Sequence, residues 1–437
     1  MKRLLYIFVD LIIIYGSIIL AFYLLERIDL LENFQRNFEA FTIITPFIGL
    51  LYIVLLYVFG LYNNTRKDIS EVIYTVFLIS VFLMIGIMAI CFSLRELAVA
   101  FPRSVILLSA LFYFIFLSIW RASLWRLSRK HHGQKKVTII GRDLEKIIDS
   151  ITHKYASLYR IENHCETYDS TCLKKIESTD MVIIDSTISS GTRDEILFLC
   201  LKHEKEAFYV PQYGDLIIKA SSLFKTDDIP TFRISNMELS SEERFVKRFA
   251  DILLSIIALI IALPFGLIIA LLIKLDKGPV FYLQERLTEN KRRFNMIKFR
   301  TMIPDAEKLS GPVLAGEKDP RITKVGAFLR MIRMDELPQL INIIKGEMSI
   351  VGPRPERPFF VEQFEKEIPE YELRYKVKAG LTGLAQVEGK YNTTVEDKLR
   401  YDLIYINNYS LWKDFLIMLQ TIKILFMKES TEGVDNK

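Results

Sequence analysis

Long stretches without charge constrain this chain most. A helix rises ~1.5 Å per residue, so ~20 apolar residues cross the ~30 Å hydrocarbon layer of a bilayer. Five segments are near that length: residues 4–25, 41–59, 72–94 and 105–120, and the uncharged stretch between Asp251 and Lys274. The first four predict a transmembrane block over residues 1–125. With 51% hydrophobic residues in a chain of 437, we expect a membrane protein that carries additional soluble domains.

Basic residues flank the four-segment block on both sides. Lys2 and Arg3 precede it, and six more follow it: Arg121, Arg126, Arg129, Lys130, Lys135 and Lys136. Lys and Arg close to a span stay in the cytoplasm, so four crossings predict that both ends of the block are cytoplasmic. The first segment lacks a small-residue cleavage site, which predicts a membrane anchor and not a cleaved signal peptide.

Short β-branched runs after the block predict a parallel α/β domain over residues 135–234. The runs are KKVTIIG, MVIID, AFYVP and TFRI, with helical stretches between them. Such a domain is typical of nucleotide binding, but no GxGxxG motif follows Gly141. A structural or regulatory domain and a ligand-binding domain therefore both stay open.

Cysteine, histidine and net charge narrow the possible chemistry. The four cysteines form no CxxC pair, and the three after the membrane block, Cys165, Cys172 and Cys200, are expected to be cytoplasmic and reduced. Every histidine lies at or before His203, so the C-terminal half works with neither His nor Cys. The net charge of +5 comes from basic residues beside membrane segments, which favours anionic lipid headgroups over nucleic acid as partners.

The fifth apolar segment has basic residues on both flanks, which predicts that both of its ends are cytoplasmic. Pro264 and Gly266 at its midpoint favour a bend, and together these features predict a re-entrant helix over residues 249–274. A complete crossing with a proline kink is the alternative. Residues 235–243 are predicted as a linker, 244–426 as a third domain and 427–437 as a disordered tail.

The densest cluster of reactive side chains in the third domain surrounds Asp335 and Glu336. Apolar spacing from Leu337 to Gly346 predicts a helix that begins near Asp335. One interpretation of Asp335 is a helix N-cap. The other is a nucleophile, because a helix N-terminus with Arg330 and Arg333 beside it binds phosphate. A carboxylate that approaches a phosphate needs a cation, so Asp335 and Glu336 are candidate Mg²⁺ ligands.

Two loops further along the chain offer additional binding groups. Three prolines in residues 352–358 make a stiff loop that presents Arg354 and Arg357, which suits a diphosphate. A basic surface turn is the alternative. The glycine-bearing run GLTGLAQ, which ends at Gln386, is able to approach a ligand with its backbone.

Six motifs in order give the third domain a resemblance to a known family. They are FNMIKFRTM, DPRITKVGAFLR, DELPQL, MSIVGPRPERP, KAGLTGLAQVEG and YDLIYINNYSLWKD. Over residues 244–426 the chain resembles the bacterial sugar transferases, which are polyprenyl-phosphate hexose-1-phosphate transferases. The four spans and a Rossmann-like domain resemble the long form of that family. The implied fold is a membrane protein with four transmembrane helices, a small α/β domain and a mainly α catalytic domain on a re-entrant helix.

The resemblance also implies a reaction and the residues that carry it. A UDP-sugar and polyprenyl phosphate would give polyprenyl-diphosphate-sugar and UMP at the cytoplasmic face of the bacterial inner membrane. Asp335 matches the family's nucleophile, Glu336 its partner, and Pro264 the bend of the membrane helix, with Mg²⁺ as the metal. A Ser often precedes that proline, whereas this chain has Leu263. The candidate substrate-binding residues are Arg300, Arg330, Arg333, Arg354, Arg357 and Gln386.

Three alternatives belong to other classes, and several features stay open. CDP-alcohol phosphotransferases carry a repeated aspartate motif that this sequence lacks, and DxD glycosyltransferases carry a motif that occurs nowhere in it. A membrane scaffold or redox sensor built on the α/β domain is a non-enzymatic alternative. The sequence does not specify the sugar, and a homodimer through the α/β domain is a reasonable expectation.

Overall fold

The computed structural model describes residues 2–28, 34–61, 69–94, 101–142, 144–219, 221–234, 237–275, 278–303, 319–389 and 393–425. The chain divides into two compact units, Met1–Val210 and Pro211–Lys437. The predicted tail, residues 427–437, lies outside the described residues. The predicted domain boundaries, which place a break at 234 and a linker at 235–243, stay predictions.

Four long apolar helices open the first unit, as the hydropathy pattern predicts. They are α1 (Lys2–Arg27), α2 (Phe34–Val58), α3 (Ile69–Ser93) and α4 (Arg103–His132). All four are long and apolar enough to cross a membrane, and their outward faces are rich in Leu, Ile and Phe. The fourth helix continues about three turns beyond the predicted apolar segment, because the basic residues that follow this segment are helical as well.

A buried polar cluster ties three of these helices together. Arg121 on α4 pairs with Asp10 on α1, and Tyr52 on α2 donates to Asp10 at 2.8 Å. Arg121 also donates to the carbonyl of Leu61, just after α2, at 3.3 Å. A charge in an apolar bundle is retained when it is paired and hydrogen-bonded, which these contacts provide. The cluster therefore fixes the register of α1, α2 and α4.

The first unit continues into a parallel sheet. Its strands are β1 (Lys135–Ile140), β2 (Tyr159–Cys165), β3 (Met181–Ile184) and β4 (Glu206–Tyr209), in the order β2-β1-β3-β4. The connecting helices are α5 (Glu145–Asp149), which runs into a π-helical turn at Ser150–Lys154, α6 (Ser170–Glu177) and α7 (Ser190–Lys202). Gly141 ends β1 with φ +131°, and a Cβ there would lie 2.2 Å from the Cβ of Asp185. Only glycine fits so close an approach of two strand ends.

The predicted parallel α/β domain is confirmed with two differences. The strand β2 was not predicted, although Tyr159, Ile161 and Cys165 alternate with polar residues. The run TFRI is a strand but does not join the parallel sheet. It belongs to β6 (Ile229–Arg233), which pairs antiparallel with β5 (Ser222–Thr226). Only two residues separate the two strands, a loop that makes a hairpin and is too short for a parallel crossover.

Helices and short strands make up the second unit. Its helices are α8 (Tyr213–Lys219), α9 (Ser241–Leu275), α10 (Lys324–Met331), α11 (Gln339–Lys345), α12 (Pro358–Glu367), α13 (Leu384–Glu388), α14 (Val395–Asn407) and α15 (Leu411–Leu425). Its strands, besides β5 and β6, are β7 (Phe281–Leu287) antiparallel to β8 (Arg293–Phe299), and β9 (Ser349–Val351) parallel to β10 (Gly380–Thr382). The main core of the unit includes Leu399, Leu403, Val351 and Val361.

The helix α9 contains the fifth apolar segment, and one of its faces packs on the rest of the second unit near both of its ends. Near its start Lys247 pairs with Asp414 at 2.5 Å, and the carboxylate of Asp251 accepts from the amide of Ile350 at 3.0 Å. Near its end Ile269 and Ile273 are buried against Phe299 and Leu329. The opposite face is apolar and exposed, including Leu253, Ile260, Leu267 and Leu271. Both ends of the apolar helix are thus fastened to the same unit.

Pro264 lies inside α9 with helical residues on both sides. The re-entrant course predicted for residues 249–274 stays a prediction. The bend at Pro264 stays a prediction.

Candidate active site

Asp335 lies in a single 3-10 turn, Met334–Glu336, between α10 and α11. The helix that was expected to begin near Asp335 begins instead at Gln339, and Pro338 is its N-cap. Pro338 has no N–H with which to bond the carbonyl of Met334, so the amide of Leu337 takes that carbonyl at 3.4 Å. The N-cap interpretation of Asp335 for this helix is therefore wrong. The turn holds Asp335 buried, with 9% of its surface exposed.

Glu336, the next residue, is held by two cations. Lys298 on β8 donates to its Oε1 at 2.8 Å, and Arg354 donates to the same oxygen at 3.3 Å. Burial raises the pKa of the Glu336 carboxyl, but the charges of Lys298 and Arg354 outweigh it and hold this pKa well below its usual range. Glu336 is therefore ionised throughout the physiological pH range.

The two adjacent carboxyl groups differ in their environment. Burial, together with the charge of Glu336, raises the pKa of Asp335, and Lys298 and Arg330 only partly oppose this effect. Among the described residues no side chain donates a hydrogen bond to the Asp335 carboxylate. Two neighbouring acids whose pKa values are pushed apart have different chemical roles. Here Glu336 is a fixed anion within a cationic clamp, and Asp335 has oxygens free to react.

A small cavity opens beside Glu336. It is lined by Arg286, Met296, Glu336, Gln339, Arg354, Pro355, Gly380 and Leu381. Arg286 donates to the carbonyl of Pro355 at 3.1 Å and pairs with Glu356 at 3.4 Å, while its buried Nε has no partner. Burial lowers the pKa of Arg286 to about 10. Two guanidinium groups and a Lys around one carboxylate make this cavity suited to an anionic group.

The predicted arginines fall into two groups. Arg354 contacts Glu336 directly, and Arg330, on the last turn of α10, donates to Thr301 Oγ1 at 2.9 Å and adds its charge near Asp335. Arg333 forms the turn before Asp335 with φ +58°, and its charge contributes to the low pKa of Glu336. The structure brings these three residues together with the acid pair.

Arg300, Arg357 and Gln386 lie elsewhere. Arg300 is buried and donates to the carbonyl of Ile273 at 3.2 Å, so it binds the last turn of α9. Arg357 is the N-cap residue of α12. Gln386 donates to the carbonyl of Leu381, a cavity-lining residue, at 3.2 Å. Substrate binding by these three residues stays a prediction.

The glycines of the GLTG run pack against the proline-rich loop. A Cβ on Gly380 would lie 2.2 Å from the amide nitrogen of Gly352, and one on Gly383 would lie 2.2 Å from its carbonyl oxygen. The amide of Gly352 donates to Thr382 and that of Gly380 to Pro353. These glycines are needed for close contact between two backbone segments, a packing role that the sequence did not indicate.

Two residues of the candidate site, Lys298 and Arg286, were not among the predicted site residues. The signal for Lys298 is the strand period of two. Phe294 and Met296 on β8 are buried, and Lys298 continues their row. A Lys in the buried row of a strand requires an anionic partner, which here is Glu336.

The donor set for a metal is limited to the acid pair. No group of three His, Cys, Asp or Glu residues that could hold a metal occurs within the described part of the chain. Mg²⁺ needs only one or two carboxylates when phosphate oxygens supply further ligands. Asp335 has free oxygens, whereas one oxygen of Glu336 is bound by Lys298 and Arg354. The residues present therefore fit Mg²⁺ that arrives with a phosphorylated substrate, with Asp335 as the main protein ligand.

Comparison with known proteins gives consistent matches. The profile of a family described as bacterial sugar transferase matches residues 242–428. A Bacillus subtilis protein, a putative undecaprenyl-phosphate N-acetylgalactosaminyl 1-phosphate transferase, is 45% identical over 158 residues, 36% of this chain and 87% of that protein.

Two longer relatives match as well. A UDP-N-acetylgalactosamine-undecaprenyl-phosphate N-acetylgalactosaminephosphotransferase of Aeromonas hydrophila is 37% identical over 240 residues, which are 54% of this chain and 56% of that protein. A UDP-glucose:undecaprenyl-phosphate glucose-1-phosphate transferase of Escherichia coli K12 is 38% identical over 220 residues, 49% of this chain and 47% of that protein. The match thus spans about half the length of these longer relatives.

Proposed function

The chain belongs to the bacterial sugar transferase family, and from that premise we propose that it transfers a hexose-1-phosphate from a UDP-sugar to polyprenyl phosphate. The products are polyprenyl-diphosphate-sugar and UMP. The relatives' names support this reaction class, because they specify undecaprenyl phosphate as acceptor and sugar phosphates as the transferred group. Such a step begins the assembly of a cell-surface polysaccharide on its lipid carrier.

One observation carries the proposal. Asp335 is a buried carboxylate with no side-chain donor among the described residues, while its neighbour Glu336 is bound by Lys298 and Arg354. A carboxylate that only stabilises the fold would be expected to have such partners itself. The raised pKa also makes the ionised Asp335 a stronger nucleophile than an ordinary aspartate.

The proposed chemistry has two displacements at one phosphorus. First an Oδ of Asp335 attacks the phosphorus that carries the sugar, the bond to the UMP oxygen breaks, and UMP leaves with that electron pair. The sugar phosphate is now an acyl phosphate on Asp335. Then an oxygen of polyprenyl phosphate attacks the same phosphorus, and the Asp335 carboxylate is released. A covalent intermediate divides one difficult step into two and lets the soluble donor leave before the lipid acceptor reacts.

The charged residues around Asp335 would stabilise the negative charge of the donor's diphosphate. Arg286 and Arg354 line the cavity next to Glu336, where they would bind diphosphate oxygens by paired N–H donors. Lys298 and Arg354 keep Glu336 ionised and in place, so its charge sustains the basicity of Asp335. Mg²⁺, when bound by Asp335 and the diphosphate, would neutralise charge on the phosphate oxygens. Arg330, whose charge acts on Asp335, would bind the lipid phosphate.

The membrane helix is proposed to hold this site at the inner face of the bacterial cytoplasmic membrane. Both ends of α9 are attached to the second unit, so the helix cannot deliver its two ends to opposite sides of the bilayer without carrying that unit across. The exposed apolar face of α9 enters the lipid, while the attached unit stays in the headgroup region. The phosphate of a polyprenyl lipid lies at that depth.

This topology predicts the labelling of cysteines in intact cells. In a Cys91→Ser background, a cysteine in place of Lys274, at the end of α9, should resist a membrane-impermeant maleimide added from outside. A cysteine in place of the exposed Ser93, at the end of α3, is the matched control and should be labelled, since three crossings separate it from the cytoplasmic N-terminus. External labelling at position 274 would indicate a complete crossing by α9.

A panel of UDP-sugars tests the proposed function directly. Membranes that contain the protein, Mg²⁺ and undecaprenyl phosphate should release UMP from one or a few donors, and the relatives indicate UDP-N-acetylgalactosamine and UDP-glucose as the first to assay. Because the intermediate is covalent, a stoichiometric burst of UMP should appear with donor alone. Absence of UMP with every donor would refute the proposed function.

A further inference from the structure

We infer that the buried pair Arg374–Asp402 positions Arg354 for catalysis, an assignment that rests on the proposed function. Arg374 lies in a 3-10 helix, Pro369–Lys376, and Asp402 lies on α14. Their side chains are 5% and 3% exposed, and Arg374 Nη2 is 2.9 Å from Asp402 Oδ2. Neither residue touches the cavity beside Glu336.

The connection to the active site runs through one carbonyl. The same Nη2 of Arg374 donates to the backbone oxygen of Arg354 at 2.8 Å. The side chain of Arg354 donates to Glu336 at 3.3 Å. Arg354 is thus held at its backbone by Arg374 and presents its guanidinium to the acid pair, so a displacement at one end moves the other.

The loop around Arg354 needs such support because it is poor in backbone donors. Pro353, Pro355 and Pro358 have no N–H, and no regular strand or helix covers residues 352–357. Backbone amides bind two of its carbonyls, those of Pro353 and Glu356. Arginine side chains bind two more: Arg286 binds that of Pro355 at 3.1 Å, and Arg374 binds that of Arg354. Arg286 lines the cavity, whereas Arg374 holds the loop from the protein interior.

The surroundings of Arg374 keep it in a single orientation. Its guanidinium lies 4.8 Å from the ring centre of Tyr371 and 5.8 Å from that of Tyr375, and it donates to the hydroxyl of Tyr371. Burial raises the pKa of Asp402 to about 6, which leaves the carboxylate ionised at neutral pH. A buried ion pair adds little stability compared with apolar residues of the same volume. Its effect here is to fix the geometry of the loop.

Hydrogen exchange measured by mass spectrometry tests the structural half of the inference on the full-length protein. Arg374→Lys keeps the charge but loses the planar group whose Nη2 contacts both Arg354 and Asp402. The amides of Gly380 and Leu287, which donate to the loop carbonyls of Pro353 and Glu356, should therefore exchange at least about tenfold faster. Peptides from β8 should not change. Asp402→Asn should have the same effect, and it replaces Arg374→Lys if that variant does not fold. Unchanged exchange of these two amides would overturn the inference, whatever the activity.

Steady-state UMP release tests the catalytic half. Arg374→Lys should lower kcat/KM by about tenfold or more, because displacements of ~1 Å in an active site cost up to ~10²-fold. If Arg374 acts through Arg354, the double variant Arg374→Lys/Arg354→Lys should match Arg354→Lys alone within about twofold. Losses that multiply would overturn the positioning role.

Arg400 provides a matched control for Arg374, because it is an arginine with a purely structural role. It also binds a carbonyl, that of Pro211 at 3.0 Å, pairs with Asp397 at 2.6 Å and lies over the ring of Tyr213. Arg400→Lys should lower Tm without changing kcat or the exchange of the Arg354 loop. If the wild-type protein released no UMP from any UDP-sugar, the proposed function would fail, and the exchange experiment would still decide the role of Arg374.

Discussion

Asp335→Asn should reduce UMP release by at least about 10³-fold, since loss of a covalent nucleophile removes the reaction path and leaves only binding. The same variant should be more stable than the wild type at neutral pH. Burial raises the pKa of Asp335 in the folded protein, so the stability that the protonated acid provides is lost as pH rises through that pKa. Asparagine stays neutral and avoids this loss. Thermal unfolding should therefore show a higher Tm for the variant at pH 7 and equal values below the ordinary aspartate pKa of 3.8.

A surface carboxylate provides the control for this experiment. Asp397, at the start of α14, pairs with Arg400 and lies away from the cavity. Asp397→Asn should retain full UMP release and a slightly lower Tm. Tm should thus rise in Asp335→Asn and fall in Asp397→Asn, which distinguishes an unpaired reactive carboxylate from one that stabilises the fold. Normal turnover by Asp335→Asn would disprove the nucleophile assignment.

Lys298→Met should lower kcat/KM by about 10²-fold, the usual cost of removing one charged donor from an electrostatic site. Lys298 provides the largest lowering effect on the pKa of both Asp335 and Glu336. Without it both pKa values rise, so more of each carboxyl group is protonated at a given pH. The acid limb of the pH profile of kcat/KM should move to higher pH, and activity should be lost sooner as the medium is acidified.

Two further variants test the charge and its location. Lys298→Arg keeps the cation near Glu336 and should retain most of the activity and the wild-type pH profile. Lys291→Met removes a Lys that also pairs with a glutamate, Glu365 at 2.9 Å, but on the surface of the same unit. That variant should behave like the wild type. A Lys298→Met enzyme with an unshifted acid limb would show that Lys298 does not control the ionisation of the acid pair.

Hydropathy and period were enough to predict the membrane helices and most of the parallel sheet. The helices α1 to α4 have 25 to 30 residues and are longer than the hydrocarbon layer is thick, and few other structures satisfy backbone hydrogen bonds there. The run TFRI, which forms most of β6, was assigned to the wrong sheet because a β-branched run indicates a strand but not its partner. Partner choice depends on loop length and on long-range packing.

The sequence predicted those residues of the candidate site that lie in local motifs, but not those that reach it through tertiary contacts. Asp335, Glu336 and Arg354 carry chemistry in their residue types and lie in local motifs, so sequence reasoning found them. Lys298 lies about 40 positions before Glu336 and meets it only through the packing of β8 on the 3-10 turn. Arg374 reaches Arg354 through tertiary structure in the same way. Contacts between segments distant in sequence leave little local signal.

The attachment of α9 to α11 has a practical consequence for anyone who wants a water-soluble fragment. Arg248 on α9 donates to the carbonyls of Ile343 and Ile344 at 2.5 and 2.7 Å, and these end the helix that follows Glu336. A fragment that begins after α9 would leave those carbonyls without a donor and would expose Phe294, Met296 and Ile343 to water. We therefore expect that the second unit must be purified together with α9, in detergent or nanodiscs, because its core packs on that apolar helix.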